Sequence, residues 1–191
     1  MSLKNRMAAL IIAVASLPSV AAVVTLDFDT GATGSGIISA PLVTSLGTIS
    51  ATGAELVTFT SDPEFNAAGA FGNKIDHVNG TATLSFDFDV SSINLIYGGN
   101  SGDITIQVRD ATNAILDSFF QASTLSGEPA GPITLSGAGI RSLIWFETSG
   151  GFAALDNVVI TANAVPEPSS LALLATALLG SGLARYRRSA G

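Results

Sequence analysis

The chain contains 191 residues, of which 47% are hydrophobic and only 12% are charged. This length is enough for one globular domain, and the hydrophobic content excludes an acidic disordered chain. The absence of cysteine and the single histidine exclude disulfide bonds, thiolate zinc sites, cysteine nucleophiles and histidine-rich metal centres. Because intracellular proteins carry about twice this fraction of charged residues, the composition favours an exported protein.

Residues 1–22 have the pattern of a secretory signal peptide. Lys4 and Arg6 form a short basic start, residues 7–17 are uncharged and apolar, and residues 19–22 supply the small side chains that signal peptidase needs. We expect cleavage after one of the two alanines that end this segment. The rest of the chain is therefore predicted to be exported.

Residues 23–164 are predicted to form the folded domain. Apolar and polar residues alternate through most of it, which is the pattern of strands with one buried and one solvated face. Such runs cover residues 23–28, 48–50, 55–60, 82–90, 92–97, 104–109, 115–121, 133–135, 140–146 and 153–161. Turn-forming residues separate the runs, and no amphipathic helix is predicted. The pattern predicts an all-β domain, an antiparallel β-sandwich of the jelly-roll type, flanked by an N-terminal signal helix and a C-terminal transmembrane helix.

The charge of this domain limits its partners. Residues 23–164 contain 14 acidic and 3 basic side chains, a formal charge of −11. Nucleic-acid binding requires clustered lysine and arginine, so DNA and RNA are excluded as partners. The possible partners that remain are neutral sugars, cations that bridge acidic groups, and other proteins.

Residues 165–191 are predicted to form a stiff turn, an apolar helix and a basic C-terminal end. Pro166 and Pro168 prevent a strand from continuing, and residues 171–184 are mostly strong helix formers. The helix is short for a bilayer, because residues 169–184 span about 24 Å against a hydrocarbon core of about 30 Å, but arginine side chains can reach the interface. The basic end should stay cytoplasmic, which leaves the domain outside. Its basic residues are Arg185, Arg187 and Arg188.

This tail resembles the PEP-CTERM sorting signal of Gram-negative bacteria. The motif residues are Val165, Pro166, Glu167 and Pro168. The resemblance implies that an exosortase recognises the motif and removes the helix. It also implies an inner-membrane-anchored intermediate that passes to the cell surface or extracellular matrix of an organism that makes exopolysaccharide. A plain C-terminal membrane anchor predicts the same topology, but it does not account for the prolines directly ahead of the helix.

The strand order is also similar to that of extracellular carbohydrate-binding-like β-sandwich modules. Residues 86–90, 104–110, 139–146 and 151–158 carry this resemblance. In the last segment a polar pair interrupts an apolar strand near the domain end, as in many such modules. The resemblance implies the sandwich fold and an exopolysaccharide ligand.

Four polar residues are the candidate ligands of a structural calcium ion, the one cofactor considered. Calcium takes six to eight oxygen ligands from carboxylates, carbonyls and water. If the first and last strands are neighbours, the carboxylates near the start of the domain approach the polar pair near its end. The candidates are Asp27, Asp29, Asp156 and Asn157.

Two aromatic residues are candidates for sugar contacts, since sugar rings stack on exposed aromatic faces. Phe71 lies between Ala70 and Gly72, and Tyr97 precedes two glycines, so both are predicted to lie in exposed loops. Trp145 has apolar neighbours on both sides and is predicted to lie in the core.

Catalysis has little support in the sequence. Asp27 with Asp29, and Asp87 with Asp89, are each about 7 Å apart on one strand face, which fits glycoside hydrolysis but also an ordinary solvated face. His77 is predicted to hydrogen-bond within a loop. The sequence therefore predicts a non-catalytic exported surface or biofilm-matrix protein. The alternative is a small extracellular polysaccharide-acting enzyme, a hydrolase or lyase, that uses paired carboxylates.

Overall fold

The computed structural model describes residues 21–29, 36–58, 63–78, 80–99, 102–123, 130–148 and 151–163. The predicted signal helix and transmembrane helix lie outside these residues. Within them, no helix is long and apolar enough to cross a membrane. Ala21–Asn163 form one compact unit.

Eleven strands and one short helix make up the described part of the chain, and every strand pair is antiparallel. This confirms the prediction of an all-β, antiparallel domain. The elements are β1 (Val23–Leu26), β2 (Gly36–Ile37), β3 (Leu42–Val43), β4 (Thr48–Thr52), β5 (Ala54–Thr58), α1 (Pro63–Ala68), β6 (Asn73–His77), β7 (Thr81–Gly99), β8 (Ile104–Arg109), β9 (Ile115–Gln121), β10 (Ala130–Glu147) and β11 (Ala153–Ala162).

Helix α1 was missed from the sequence, in which no amphipathic helix is predicted. Pro63 stands at its first position, where the missing N–H of proline costs no hydrogen bond. Gly69 follows the helix with φ +92°, and the N–H of Ala70 donates to the carbonyl of Phe65 at 2.9 Å. Six residues make fewer than two turns, which is too short for a periodic apolar pattern to show in the sequence.

The long strands β7 and β10 organise the sheet, because they pair with each other along both of their halves. The first half of β7 also pairs with β4, and the second half of β10 pairs with β8, which gives the order β3-β4-β7-β10-β8-β9. The second half of β7 pairs with β11 instead, and β11 pairs with β1 and β6. Strands β5 and β2 follow β6. The two groups of strands therefore share β7 and β10.

Irregular pairing in the middle of β7 keeps the apolar side chains of both groups on the core side. The register between β7 and β11 shifts at Ser91, which has no opposite residue. Buried residues are even-numbered from Ala82 to Val90 and odd-numbered from Ile93 to Tyr97. One extra residue reverses the alternation, as expected of a β-bulge.

Both groups of strands pack on one hydrophobic core, as in a β-sandwich. Ile49 and Leu84 from the first group and Ile93 and Ile160 from the second belong to the same buried cluster. Trp145 is fully buried in it, which confirms its predicted place in the core.

Candidate functional site

The pairing of β1 with β11 brings together the carboxylates that the sequence analysis grouped. Asp27 directly follows β1, and its Oδ1 accepts a hydrogen bond from the N–H of Asp29 at 2.9 Å. Oδ1 of Asp29 accepts a hydrogen bond from the N–H of Asn73 at 2.6 Å. Asp156 lies in β11, and its pKa is raised by the charges of both other aspartates. We call Asp27, Asp29 and Asp156 the acidic cluster.

Asp156 is the buried member of the acidic cluster, with 2% of its surface exposed. Burial raises its pKa from 3.8 to about 6. The N–H of Asn157, which donates to Oδ1 at 2.7 Å, and the charge of Lys74 oppose this rise in pKa. Asp156 is therefore an aspartate with a pKa of about 6.

Lys74 supplies a positive charge beside the acidic cluster, and the sequence analysis did not find it. Its side chain is fully buried, with Nζ 4.8 Å from the centre of the Phe65 ring. Nζ also donates to the carbonyl of Gly72 at 3.3 Å. Gly72 has φ +70° and lies directly against the carboxylate of Asp29, which leaves no room for a side chain. The sequence gives no signal of burial for Lys74, because most residues of β6 are polar and show no alternation.

The side chain of Asn157 is held by a hydrogen bond to the residue that follows α1. Asn157 has φ +49°, and its Nδ2 donates to the carbonyl of Gly69 at 3.2 Å. In the described ranges, no three His, Cys, Asp or Glu side chains are placed to hold a metal ion. Calcium binding by Asp27, Asp29, Asp156 and Asn157 stays a prediction, and Lys74 already provides a cation there.

The two predicted aromatic candidates have different environments. Phe71 lies between α1 and β6 and is 59% exposed, as an exposed loop residue should be. Tyr97 lies in β7 and is only 7% exposed, so its predicted place in an exposed loop is wrong. Its ring packs 4.6 Å from that of Phe119, and its hydroxyl donates to Gln121 at 3.2 Å. The two glycines after Tyr97 continue the strand instead of turning the chain.

The other residues considered for catalysis have structural partners. Oδ1 of Asp87 accepts from the N–H of Thr48 at 2.8 Å, and Asp89 forms an ion pair with Arg141 at 2.8 Å. Nδ1 of His77 accepts from the N–H of Gly80 at 3.3 Å, which is the loop contact predicted for it.

A second surface was not found from the sequence, namely the side of strands β4, β7, β8, β9 and β10 that faces away from the core. In β7, β8 and β10 the alternate residues are buried, and in β4 and β9 the alternate residues Ala51 and Phe119 pack against the core, so the side chains between them point outward. Directly paired residues lie on the same face, which defines three rows across the strands. We call these rows the outer sheet face: Phe120, Thr105, Phe146 and Thr81; Ser118, Gln107, Ile144, Thr83 and Thr52; and Ile115, Arg109, Ser142, Ser85 and Ser50.

The outer sheet face combines apolar, amide and hydroxyl groups. Phe120 is 60% exposed and Ile115 is 52% exposed, both on the edge strand β9. The Arg109 guanidinium donates to Oε1 of Gln107 at 2.7 Å and to Oδ1 of Asn113 at 3.1 Å. One signal for this surface was present in the sequence. The alternation in β9 places Phe120 on the solvated side with Ser118, where a large apolar residue is unexpected.

Residues 164–188 match the family described as the PEP-CTERM protein-sorting motif. The match covers all of the residues on which the predicted sorting signal rests, so the recognition of this signal is confirmed. They are Val165, Pro166, Glu167, Pro168, Arg185, Arg187 and Arg188. These residues lie outside the described part of the structure. No curated protein sequence matches the chain.

The domain is similar to several solved carbohydrate-binding modules. A family 29 module in complex with mannohexaose is 13% identical with a TM-score of 0.42, over 74% of this chain and 92% of that chain. A family 6 module from Clostridium stercorarium in complex with cellobiose is 17% identical with a TM-score of 0.37, over 59% and 86%. A module from Cellvibrio mixtus lichenase 5A in complex with cellotriose is 14% identical with a TM-score of 0.35, over 60% and 90%.

Proposed function

We propose that this is a non-catalytic exported protein that an exosortase processes and delivers to the cell surface or biofilm matrix, where its β domain binds polysaccharide. The observation that carries the sorting part is the PEP-CTERM motif at residues 164–188. This motif implies export and exosortase processing in a Gram-negative cell. Signal peptidase and exosortase are then its partners during export, and the C-terminal helix holds it in the inner membrane until processing.

The outer sheet face supports the binding part of this proposal. It presents exposed apolar side chains beside amide, guanidinium and hydroxyl groups. Sugars combine apolar ring faces with hydroxyl groups, so both kinds of surface are useful in binding them. Catalysis by paired carboxylates has less support than sugar binding. Asp87, Asp89 and Asp29 already form the hydrogen bonds and the ion pair given above.

Sorting is tested by changing Pro166, Glu167 and Pro168 to alanine together in the producing organism. We expect the variant to accumulate in the inner membrane with its C-terminal helix uncleaved, because the exosortase no longer recognises it. The matched control changes Glu128 and Pro129, a second Glu-Pro pair in the same chain, and should be processed normally. Normal processing of the motif variant contradicts the proposal.

Binding is tested by co-sedimentation of the mature exported protein with the organism's own exopolysaccharide, while polymer length is followed in the same tube. We expect protein in the pellet and polymer of unchanged length. Protein that stays in the supernatant contradicts polysaccharide binding.

One observation favours the enzyme as a second candidate. Asp156 has a pKa near 6 and two other aspartates nearby, as general acids often do. Its 2% exposure leaves little access for a substrate, which is why the binding function is preferred. Shortened polymer in the assay above, abolished by Asp156→Asn, would establish the enzyme instead.

A further inference from the structure

We propose that the outer sheet face is the binding platform for an uncharged polysaccharide chain, which lies across β9, β8 and β10 with sugar rings against Phe120 and Phe146. This inference rests on the proposed polysaccharide-binding function and adds the site and the class of ligand. It is carried by the juxtaposition of two phenylalanine rings and two rows with hydrogen-bonding groups on the same sheet face.

The two phenylalanines supply the apolar contacts. Phe120 pairs with Thr105, which in turn pairs with Phe146, so both rings lie in one row with a threonine between them. Adjacent strands are about 4.8 Å apart, which places the two side chains about 10 Å apart across β8. Phe120 is 60% exposed although a large aromatic side chain gains free energy by burial. A sugar ring stacked on Phe120 would cover this apolar surface.

The next two rows supply the polar contacts. Gln107 and Arg109 follow Thr105 on the same face of β8. The Arg109 guanidinium is held in place by Gln107 on one side and by Asn113 of the β8–β9 turn on the other. Nε of Arg109 is buried and has no hydrogen-bond partner among the residues that the structure describes. The Gln107 amide N–H groups therefore lie one row from the rings and the guanidinium two rows from them, where hydroxyl groups of a bound sugar chain can accept from them.

The charge of the surface selects the class of ligand. The three rows contain one charged residue, Arg109, and no carboxylate. The domain as a whole carries a formal charge of −11, so it repels polyanions in solution. Asp87 and Asp89 are the next outward-facing residues along β7, so the same side of the sheet is acidic beyond the three rows. An uncharged hexose polymer therefore suits this surface better than a uronic acid polymer.

The test is the affinity of the mature exported protein for cellohexaose, laminarihexaose and mannohexaose, with polygalacturonate as the anionic probe. We expect at least one neutral hexasaccharide to bind, polygalacturonate to bind more weakly, and Phe120→Ala and Gln107→Ala each to lower the affinity at least tenfold. Val43→Ala removes a side chain that is 85% exposed elsewhere and should bind like the wild type. Circular dichroism and melting temperature confirm that each variant is folded.

Each other outcome overturns the inference in a recognisable way. Wild-type affinity of the folded Phe120→Ala and Gln107→Ala variants rejects this face, and loss in Phe71→Ala instead assigns binding to the loop before β6. Tighter binding of polygalacturonate rejects the ligand class. If Phe120→Ala converts a dimer to a monomer in sedimentation velocity, the face binds a second copy. Failure to bind the neutral probes while the native exopolysaccharide binds rejects only this inference, whereas failure with both rejects the proposed function.

Discussion

Asp156 lies where one lysine and two aspartates act on the same buried carboxylate. Lys74 lowers its pKa, while Asp29 and Asp27 raise it, and burial has the largest effect. The result is a side chain whose charge depends on pH in the range that bacteria meet outside the cell.

This arrangement predicts a pH dependence of stability. The pKa of Asp156 is about 6 in the folded protein against 3.8 as its ordinary value, so the folded protein keeps a proton that the unfolded chain releases between these pH values. The contribution of Asp156 to the free energy of unfolding therefore falls as pH rises from 4 to 6 and is constant above about pH 7. We expect the difference in unfolding free energy between wild type and Asp156→Asn to fall by about 2 kcal/mol from pH 4 to pH 7 in urea titrations. Parallel pH profiles for the two proteins would contradict this.

Single residues were also where sequence reasoning was weakest. It expected Asp27 and Asp29 to approach Asp156 because it assumed that the first and last strands are neighbours, and β1 does pair with β11. It could not find Lys74, since burial of this lysine depends on Phe65 and on carboxylates from two other segments, residues 27–29 and Asp156. It placed Tyr97 in a loop because glycine pairs usually mark turns, whereas Gly98 lies under the ring of Phe65.

Among the elements, α1 is fixed by one side chain. Phe65 is fully buried and packs with Ala70 and Ala154 in a cluster separate from the main core. Its ring lies against Gly98, where any side chain would collide with it, and it is covered by Lys74. The helix is too short to be stable alone, so its place depends on this contact.

We therefore expect Phe65→Ala to lower the free energy of unfolding by about 3–5 kcal/mol, because it removes a buried aromatic ring and uncovers the Lys74 side chain. The matched control is Phe71→Ala, the same change at a residue that is 59% exposed, which should cost less than about 0.5 kcal/mol. Guanidinium titrations of both variants measure the difference. Equal losses would show that α1 is not anchored through Phe65.

Among the secondary-structure elements, the sequence was most informative for long strands with one solvent-exposed face. The alternation in β8 and in the first half of β7 predicts both strands and the direction of their side chains. Strand β6 was missed because four of its five residues are buried and three of those can carry charge, so no alternation appears. The two-residue strands β2 and β3 are too short to give any periodicity.

For the whole molecule, one core shared by two groups of strands predicts a single cooperative unfolding transition. Trp145 is the only tryptophan of the chain and is fully buried in this core. We expect its fluorescence maximum to shift to longer wavelength in the same transition that removes the β signal in far-ultraviolet circular dichroism. Two separate midpoints would show that the two groups of strands unfold independently.

The position of β11 has a mechanical consequence. This strand is the last one before the sorting motif, and it is hydrogen-bonded to β7 on one side and to β1 and β6 on the other. A pull on the C-terminus of an anchored protein therefore acts along a strand in the interior of the sheet. Both rows of hydrogen bonds must shear together, instead of opening one at a time as they do when an edge strand is peeled away. If the domain links a cell envelope to a polymer, as proposed, a pulling force under flow would act on β11, which is hydrogen-bonded to strands on both sides.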